Sequence, residues 1–561
     1  MSLWLSSLFV AVAYSVSAQY STGSWSCIGP YYEIPSGSVP KPLPGIGRVI
    51  SMAEHTTNSD LIYVGTEVGG LWRYSRSLDR SVLLGTDQLE KIGVAEIAVH
   101  PTNGDILYIG TGCNFGFESG QQYKTLARRS SSGIYLSVTG GNAWSQILSW
   151  DNPVWYDACN APDEIVKRQN YLQISRILIS ESNPSVLLIG FRSYDDQRCN
   201  ACANGFGNYG KAGGGILRSV DGGANWSVVR SGLKNEFIWD MEVDPVNPQT
   251  VYASGHRVYR SDNFGLTWID VSANLTNLYT ILDTVTCGND LNLRNYVSLT
   301  VPPKGSLLAN HVAALVVSFS SKALFASSSG FTTPVEQASG TIPSSIEFSA
   351  RMRTFGVNKT FDKFFFGGRY FKSAMYSITT NILGSGMTPS LHPHLDILEI
   401  LVSSNALFPD QVLLGTDGGF EISNDNASIF SNHSYGMSTM QLYSVSASSK
   451  SQFVIGGTQD NDAIFSSDYY WYESNKLGDG GDVAINPNGE EIAYCYDYQT
   501  SSRFSRIDFS VFPQVPTSIQ NYNGVCRVTV SPMEAQPLLR NEIYLARPDD
   551  TDDFTIGKYN I

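Results

Sequence analysis

Two glycine-rich strings each carry one acidic side chain in the same position. The strings are Gly65-Thr66-Glu67-Val68-Gly69-Gly70 and Gly415-Thr416-Asp417-Gly418-Gly419. Asp460 and Asp479 follow in the similar strings Gly456-Gly457-Thr458-Gln459-Asp460-Asn461 and Gly478-Asp479-Gly480-Gly481. Two carboxylates can cleave a glycosidic bond when they flank it at about 5 to 9.5 Å from each other. The four acids are therefore candidates for catalysis or ligand binding, although a glycine-rich loop with one acid also forms ordinary turns.

Three long segments between predicted strands combine aromatic side chains with cysteines. They span residues 113–131, 150–170 and 193–212. Their aromatic residues, which we interpret as ligand-binding residues, are Phe115, Phe117, Tyr123, Trp155, Tyr156, Tyr194, Phe206 and Tyr209. Their cysteines are Cys113, Cys159, Cys199 and Cys202, and two disulfides among these would tie the segments into one ordered wall. Long loops on a rigid scaffold often carry function, but they can also simply pack on each other.

Two short strings contain metal-ligand residue types. Cys199 and Cys202 have the spacing of half a zinc site. His392, His394 and Asp396 would lie on one face of a strand. Neither string has a second cluster of ligands at suitable spacing, so the sequence predicts no metal site and no cofactor.

A repeated turn must position these segments. Its pattern is Ser-x-Asp-x-Gly-x-(Thr/Asn)-Trp, in which the Ser and Asp bond to nearby backbone, the Gly supplies positive φ and the Trp anchors the turn on apolar neighbours. Two copies are clear, and weaker copies lie at residues 137–144 and 423–430. We assign a structural role to the turn residues Ser219, Asp221, Gly223, Trp226, Ser261, Asn263, Gly265 and Trp268.

Around each turn the chain repeats four β-rich runs, which indicates an all-β fold of radially arranged sheets. We expect a single large β-propeller of about ten four-stranded blades. The blades are predicted to begin near Arg48, Val94, Tyr171, Ile238, Tyr296, Ile346, His394, Leu442, Asp482 and Cys526. The last blade lacks a fourth strand, and residues 22–29 are predicted to supply it and close the ring. The alternative is that the chain is a piece of a longer protein.

The turn pattern resembles that of the Asp-box or BNR-repeat β-propellers. Ten blades in one ring would resemble the Vps10 domain of sortilin-like receptors, and the glycine-rich strings resemble secreted Asp-box repeat proteins. The string around Glu67 also looks like that of the first catalytic aspartate in xyloglucanase-type hydrolases, and Asp417 would then resemble the second acid. Blades one and seven of a ten-membered ring lie well apart, so we expect these two carboxylates not to meet. Sialidase chemistry is not indicated, because no early Arg-Ile-Pro string is present.

Composition limits the environment and the partners. The net charge is −14, which argues against nucleic acid or an anionic membrane as a partner. Residues 1–18 read as a secretory signal peptide, residues 19–47 as a lead-in with the closing strand, and residues 48–561 as the propeller. Eight cysteines and five glycosylation sequons fit a secreted, disulfide-bonded glycoprotein. No later apolar run is long enough to predict a membrane span.

The first functional hypothesis is a secreted binding module that receives a peptide, a protein or a glycan on its loop face or in its central channel. The alternative hypothesis is a glycoside hydrolase of the xyloglucanase-like type that acts on a β-glucan. Oligomeric state is not predicted.

Overall fold

The structure is a computed structural model. It describes residues 47–112, 131–149, 172–194, 212–229, 231–233, 238–281, 296–318, 321–340, 342, 354–368, 370–387, 396–440 and 442–448. Beyond these it describes residues 453–458, 463–467, 470–473, 480–485, 492–497, 503–508, 517–521, 533–535, 542–548 and 554–560. Nearly all of the described elements are strands, and the all-β class is confirmed.

The first seven sheets are antiparallel and keep the order of the chain. Sheet one holds β1 (Val49–Glu54), β2 (Leu61–Thr66), β3 (Leu71–Ser75) and β4 (Arg80–Leu83), and sheet two holds β5 (Val94–Val99), β6 (Leu107–Thr111), β7 (Gly133–Ser137) and β8 (Ser145–Ser149). Sheet three holds β9 (Leu172–Ile179), β10 (Leu187–Tyr194), β11 (Ala212–Ser219) and β12 (Ser227–Val228), and sheet four holds β13 (Asp240–Val243), β14 (Val251–Ser254), β15 (Val258–Ser261) and β16 (Ile269–Asp270).

A 3₁₀ turn at Ser272–Asn274 and the short helix α1 (Leu278–Ile281) follow sheet four. Sheet five holds β17 (Tyr296–Thr300), β18 (Val312–Val317) and β19 (Lys322–Ser327). Sheet six holds β20 (Phe355–Val357), β21 (Lys363–Phe366), β22 (Lys372–Ser377) and β23 (Ile382–Leu383), and sheet seven holds β24 (Ile397–Val402), β25 (Val412–Thr416), β26 (Gly419–Ser423) and β27 (Ser431–Asn432).

The inner strands are buried on both faces because each sheet packs between two others. The whole of β18 is buried, as its uninterrupted apolar run predicts. Glycine allows the closest contacts: a Cβ on Gly415 of β25 would lie 2.6 Å from the carbonyl oxygen of Val49 in β1. Sheet seven therefore packs directly against sheet one.

These seven sheets form a closed ring. The first strands of all seven line one central cavity of about 390 Å³. Strand β24 packs on β1, and the two sheets are joined by hydrogen bonds from Ser403 Oγ to Glu54 Oε1 (2.6 Å) and from the amide of Ser81 to the carbonyl of Tyr435 (2.7 Å). Sheet seven thus occupies the side of β1 against which the tenth sheet would pack in a ring of ten.

The prediction of one ring of about ten blades therefore needs correction. The described strands form ten sheets, but the last three pack on one another after the ring has closed. The eighth sheet holds β28 (Leu442–Ala447), β29 (Val454–Thr458), β30 (Ala463–Ser467) and β31 (Tyr470–Glu473). The ninth holds β32 (Gly480–Ile485), β33 (Ile492–Asp497), β34 (Arg503–Asp508) and β35 (Thr517–Asn521). The tenth holds β36 (Met533–Ala535), β37 (Glu542–Pro548) and β38 (Phe554–Asn560).

The eighth sheet joins the ring through apolar contacts. Ile464 and Trp471 belong to the same hydrophobic cluster as Trp72 of sheet one and Phe420 of sheet seven. The predicted closing strand at residues 22–29 lies outside the described residues, and so does the predicted signal segment. No helix within the described part of the chain has the length and apolar character to cross a bilayer.

Candidate functional site

The repeated turns lie between the third and fourth strands of their sheets. In the turn that joins β11 to β12, Ser219 Oγ donates to Asp221 Oδ1 (2.8 Å) and accepts the amide of Gly223 (2.9 Å). Gly223 has φ +95°, which favours glycine. The hydrogen bonds that Asn225 donates from its side chain and its amide, followed by that of Ser219, lower the pKa of Asp221. Trp226 packs at the edge of a hydrophobic cluster.

The turn between β15 and β16 has the same geometry. Ser261 Oγ donates to Asn263 Oδ1 (3.0 Å), and the amide of Gly265 donates to Ser261 Oγ (2.9 Å). Asn263 Oδ1 also accepts the amide of Thr267 at 2.9 Å, as Asp221 does for Asn225. Trp268 is buried. Because strands alternate in direction, the links between second and third strands lie on the opposite face of the ring, which we call the loop face.

Glu67 and Asp417 both lie on the loop face. Glu67 directly follows β2, and Asp417 directly follows β25. Sheets one and seven are neighbours in the closed ring, so the expectation that the two acids lie well apart loses its basis. The sequence placed the two acids in the first and seventh blades along the chain but could not show on which side the ring closes.

Glu67 is held by the residue that precedes the first strand of its sheet. Its side chain is buried, and Arg48 Nη1 donates to its Oε2 at 3.1 Å. The amide of Glu67 donates to the carbonyl of Arg48, also at 3.1 Å. Thr66 Oγ1 accepts the amide of Gly69 and donates to the carbonyl of Gly70, which closes the loop around the acid.

Asp417 has the matching arrangement in sheet seven. Its Oδ1 accepts the amide of Asp396 at 2.9 Å, and its own amide donates to the carbonyl of Asp396 at 3.2 Å. Thr416 Oγ1 accepts the amide of Gly418 and donates to the carbonyl of Gly419. Asp417 is also buried, at 4% exposure. Two sheets therefore present one acid each in the same backbone framework.

Sequence reasoning missed Arg48 as a partner of Glu67. The only sequence signal is its place immediately before an apolar strand, as Asp396 stands before β24. Asp396 also ends the string of His392, His394 and Asp396, and its backbone amide donates to Asp417. His392 and His394 lie outside the described residues. The described residues contain no group of three or more side chains suited to a metal ion.

A second charged cluster, also missed, lies in the central cavity. Arg176 Nε donates to Asp240 Oδ1 at 3.1 Å, and Arg176 Nη2 donates to Glu242. Asp240 Oδ2 accepts the amide of Leu299 (3.0 Å) and the hydroxyl of Ser298 (3.2 Å). Burial raises the pKa of Glu242, although the Arg176 charge opposes the shift. This cluster joins sheets three, four and five and has the character of a structural ion pair.

Of the predicted ligand-binding residues, Tyr194 lies among the described residues. Tyr194 ends β10. Those that lie outside the described residues are Phe115, Phe117, Tyr123, Trp155, Tyr156, Phe206, Tyr209, Asp460 and Asp479, together with Cys113, Cys159, Cys199 and Cys202. Their ligand-binding and disulfide roles stay predictions.

Comparisons with known proteins bear on the fold. No protein-family model matches the sequence, and no curated protein matches it. The solved structure of an ancestral GH74 enzyme superposes with a TM-score of 0.55 and 13% identity, covering 93% of this chain and 78% of that chain. The GH74 enzyme of Niastella koreensis gives a TM-score of 0.48 and 14% identity, covering 92% of this chain and 79% of its own. The first superposition agrees with a β-propeller fold.

Proposed function

We propose that this protein is a glycoside hydrolase that acts on a β-glucan, with Glu67 and Asp417 as its two carboxylates. The observation that carries the proposal is that both acids occur at equivalent positions on the loop face of neighbouring sheets. Glycosidic cleavage needs two carboxyl groups that flank one bond. In a ring of seven sheets the two acids lie on adjacent sheets, whereas a ring of ten would separate them.

The surroundings of the two acids suggest different roles. A guanidinium lies 3.1 Å from Glu67, and such a charge-assisted hydrogen bond favours the ionised form more strongly than a neutral amide donor does. We therefore assign the base or nucleophile role to Glu67 and, as the second carboxyl group of the pair, the proton-donor role to Asp417.

Two glycines stand close behind each acid in the chain. Gly69 and Gly70 follow Glu67, and Gly418 and Gly419 follow Asp417. They let the loops pack closely on their neighbours: a Cβ on Gly69 would lie 2.7 Å from Thr439 Cγ2, and one on Gly70 would lie 2.4 Å from Thr86 Oγ1. The fold likeness to an ancestral GH74 enzyme supports a carbohydrate substrate only by analogy, because one fold hosts many functions.

A second candidate function is glycan binding without cleavage. It is favoured by the burial of both carboxylates and by the ion pair between Glu67 and Arg48, since such groups also serve as fixed hydrogen-bond acceptors. For the predicted aromatic segments at residues 113–131, 150–170 and 193–212, we propose that they bind a peptide on the loop face. We propose that either activity takes place outside the cell, after removal of residues 1–18.

Incubation of the purified protein with xyloglucan and mixed-linkage β-glucan tests the proposal. We expect new reducing ends, and a loss of about 100-fold or more in Glu67→Gln and Asp417→Asn, in line with the usual contribution of acid–base groups. Glu181→Gln on the opposite face is the matched control, because this exposed acid pairs with Lys304 outside the site. Retained binding without cleavage in the wild-type protein would favour the second candidate, and full activity in Glu67→Gln would exclude these acids.

A further inference from the structure

A serine, a histidine and an aspartate form a hydrogen-bonded chain where sheets seven and one meet. Ser431 Oγ lies 2.9 Å from His433 Nε2, and His433 Nδ1 lies 2.7 Å from Asp79 Oδ1. Ser431 begins β27, His433 follows that strand, and Asp79 lies in the link between β3 and β4. All three are near the face that carries the repeated turns, so this cluster is separate from Glu67 and Asp417.

Local structure explains why the three side chains converge. Ser431 and His433 are two residues apart on an extended segment, which directs both side chains to one face. The amide of His433 donates to the carbonyl of Phe420 at 2.8 Å and fixes the backbone there. Asp79 has φ +47°, a left-handed conformation that Asp tolerates better than most residues and that often accompanies functional sites.

The hydrogen-bond network assigns the histidine tautomer. Tyr74 Oη donates to Asp79 Oδ1 at 2.9 Å and lies 3.1 Å from His433 Nδ1, which itself lies 2.7 Å from Asp79 Oδ1. The carboxylate accepts only, so Nδ1 carries the proton and Nε2 is left to accept from the Ser431 hydroxyl. The competing acceptor of that hydroxyl, the carbonyl of Ile422, is much farther away at 3.5 Å.

This arrangement meets the geometric criteria for an activated nucleophile. The serine is within hydrogen-bond reach of a base, and a third group orients that base. Ser431 is exposed, and the side chains of His433 and Asp79 are 21% and 45% exposed. A ligand in solution can therefore reach the hydroxyl without any opening of the fold.

We propose that Ser431 is an acyl-accepting nucleophile that hydrolyses small carboxylic esters. Its Oγ forms a bond to the ester carbonyl carbon, and its proton passes to His433 Nε2. The bond from carbon to the alcohol oxygen then breaks, and His433 returns the proton to the departing alcohol. Water next attacks the acyl-serine with His433 as base, which releases the carboxylic acid and restores Ser431.

The experiment uses the full purified chain with p-nitrophenyl acetate and, separately, with a fluorophosphonate probe that labels activated serines. An activated ester is chosen because the site is open to water, where stabilisation of the developing oxyanion is weak. We expect probe labelling that maps to Ser431, and a drop in ester hydrolysis of about 100-fold or more in Ser431→Ala and His433→Ala. Asp79→Asn should also lose most of the rate, since it favours the wrong tautomer.

Ser428→Ala is the matched control, because Ser428 is also exposed, in the preceding turn, and its hydroxyl donates to the carbonyl of Asp425 instead of a histidine. Its labelling and ester hydrolysis should equal those of the wild type. Ser431→Ala replaces an exposed hydroxyl and should keep the wild-type melting temperature, so the result does not depend on a folding defect. Absence of labelling in the folded wild type, or equal labelling and hydrolysis in Ser431→Ala, overturns the proposal. Neither result bears on the proposed action of Glu67 and Asp417.

Discussion

His433 Nδ1 lies 2.7 Å from Asp79 Oδ1, so the end of the seventh sheet is bonded to a link of the first. The same seam contains hydrogen bonds from Arg76 Nη2 to Gln411 Oε1 (2.8 Å) and from Ser403 Oγ to Glu54 Oε1. Polar contacts of this kind, added to the apolar packing of β1 on β24, make the closure of the ring specific. The same closure joins Asp79 to His433 and makes the sheets that carry Glu67 and Asp417 neighbours.

Gly415→Ala should destabilise the ring at this seam. A Cβ there would lie 2.6 Å from the carbonyl oxygen of Val49, and backbone cannot move aside cheaply. We expect a loss of about 1–3 kcal/mol in the free energy of unfolding, as for other overpacked sites. Gly384→Ala is the control, because its nearest neighbour would be 3.3 Å away. Equal stability of the two variants in thermal or urea unfolding would contradict the proposed seam.

Ser219→Ala should weaken the third sheet. Ser219 Oγ is buried and accepts the amide of Gly223, which would be left without this partner. An unsatisfied buried donor costs about 1–3 kcal/mol. Ser227→Ala, which removes an exposed hydroxyl next to the same turn, should cost much less. Urea denaturation of both variants measures the difference, and a Ser227→Ala effect as large as that of Ser219→Ala would argue against the turn's structural role.

Replacement of Arg48 tests the ion pair that holds Glu67. In Arg48→Met the buried carboxylate loses a cation at 3.1 Å, and breaking such a pair usually costs about 3–5 kcal/mol. Adding Glu67→Gln should recover part of the loss, because the remaining group is then neutral. The coupling energy from a double-mutant cycle of melting measurements is the readout, and a value near zero would mean that the pair contributes little.

Glu421→Gln should change how stability depends on pH. Burial raises the pKa of Glu421 to about 7, although a hydrogen bond from Asn432 opposes the shift. A raised folded-state pKa means that the folded protein binds more protons than the unfolded chain between about pH 4.5 and pH 7, so stability falls as pH rises through that window. The variant should therefore be less pH-sensitive there and more stable at pH 8, by up to about 3 kcal/mol.

Chemical denaturation at pH 5, 6, 7 and 8 checks this expectation. Glu181→Gln is the control, since it makes the same replacement at an exposed position that pairs with Lys304. A Glu421→Gln profile parallel to that of the wild type would show that Glu421 titrates normally in the folded state.

Features governed by neighbours in the chain were predictable from the sequence. The turn at Ser219, Asp221 and Gly223 depends on hydrogen bonds that span at most four residues, and positive φ at the glycine needs no distant contact. The apolar runs of β2, β18 and β25 are likewise local features, and these strands are almost entirely buried. These local rules were enough for the all-β class and for the radial repetition of sheets.

Only the tertiary structure decided the size of the ring and the composition of its sites. Every sheet has similar inner strands, so the pattern along the chain does not say whether β1 packs on the seventh sheet or on a later one. That choice depends on the fit between particular surfaces, such as Gly415 against Val49. Asp79 and His433 are separated by 354 positions, and no periodicity links residues that meet only when a ring closes. The sequence thus determined the repeating unit, whereas the non-local packing of the seventh sheet on the first determined which residues share a site.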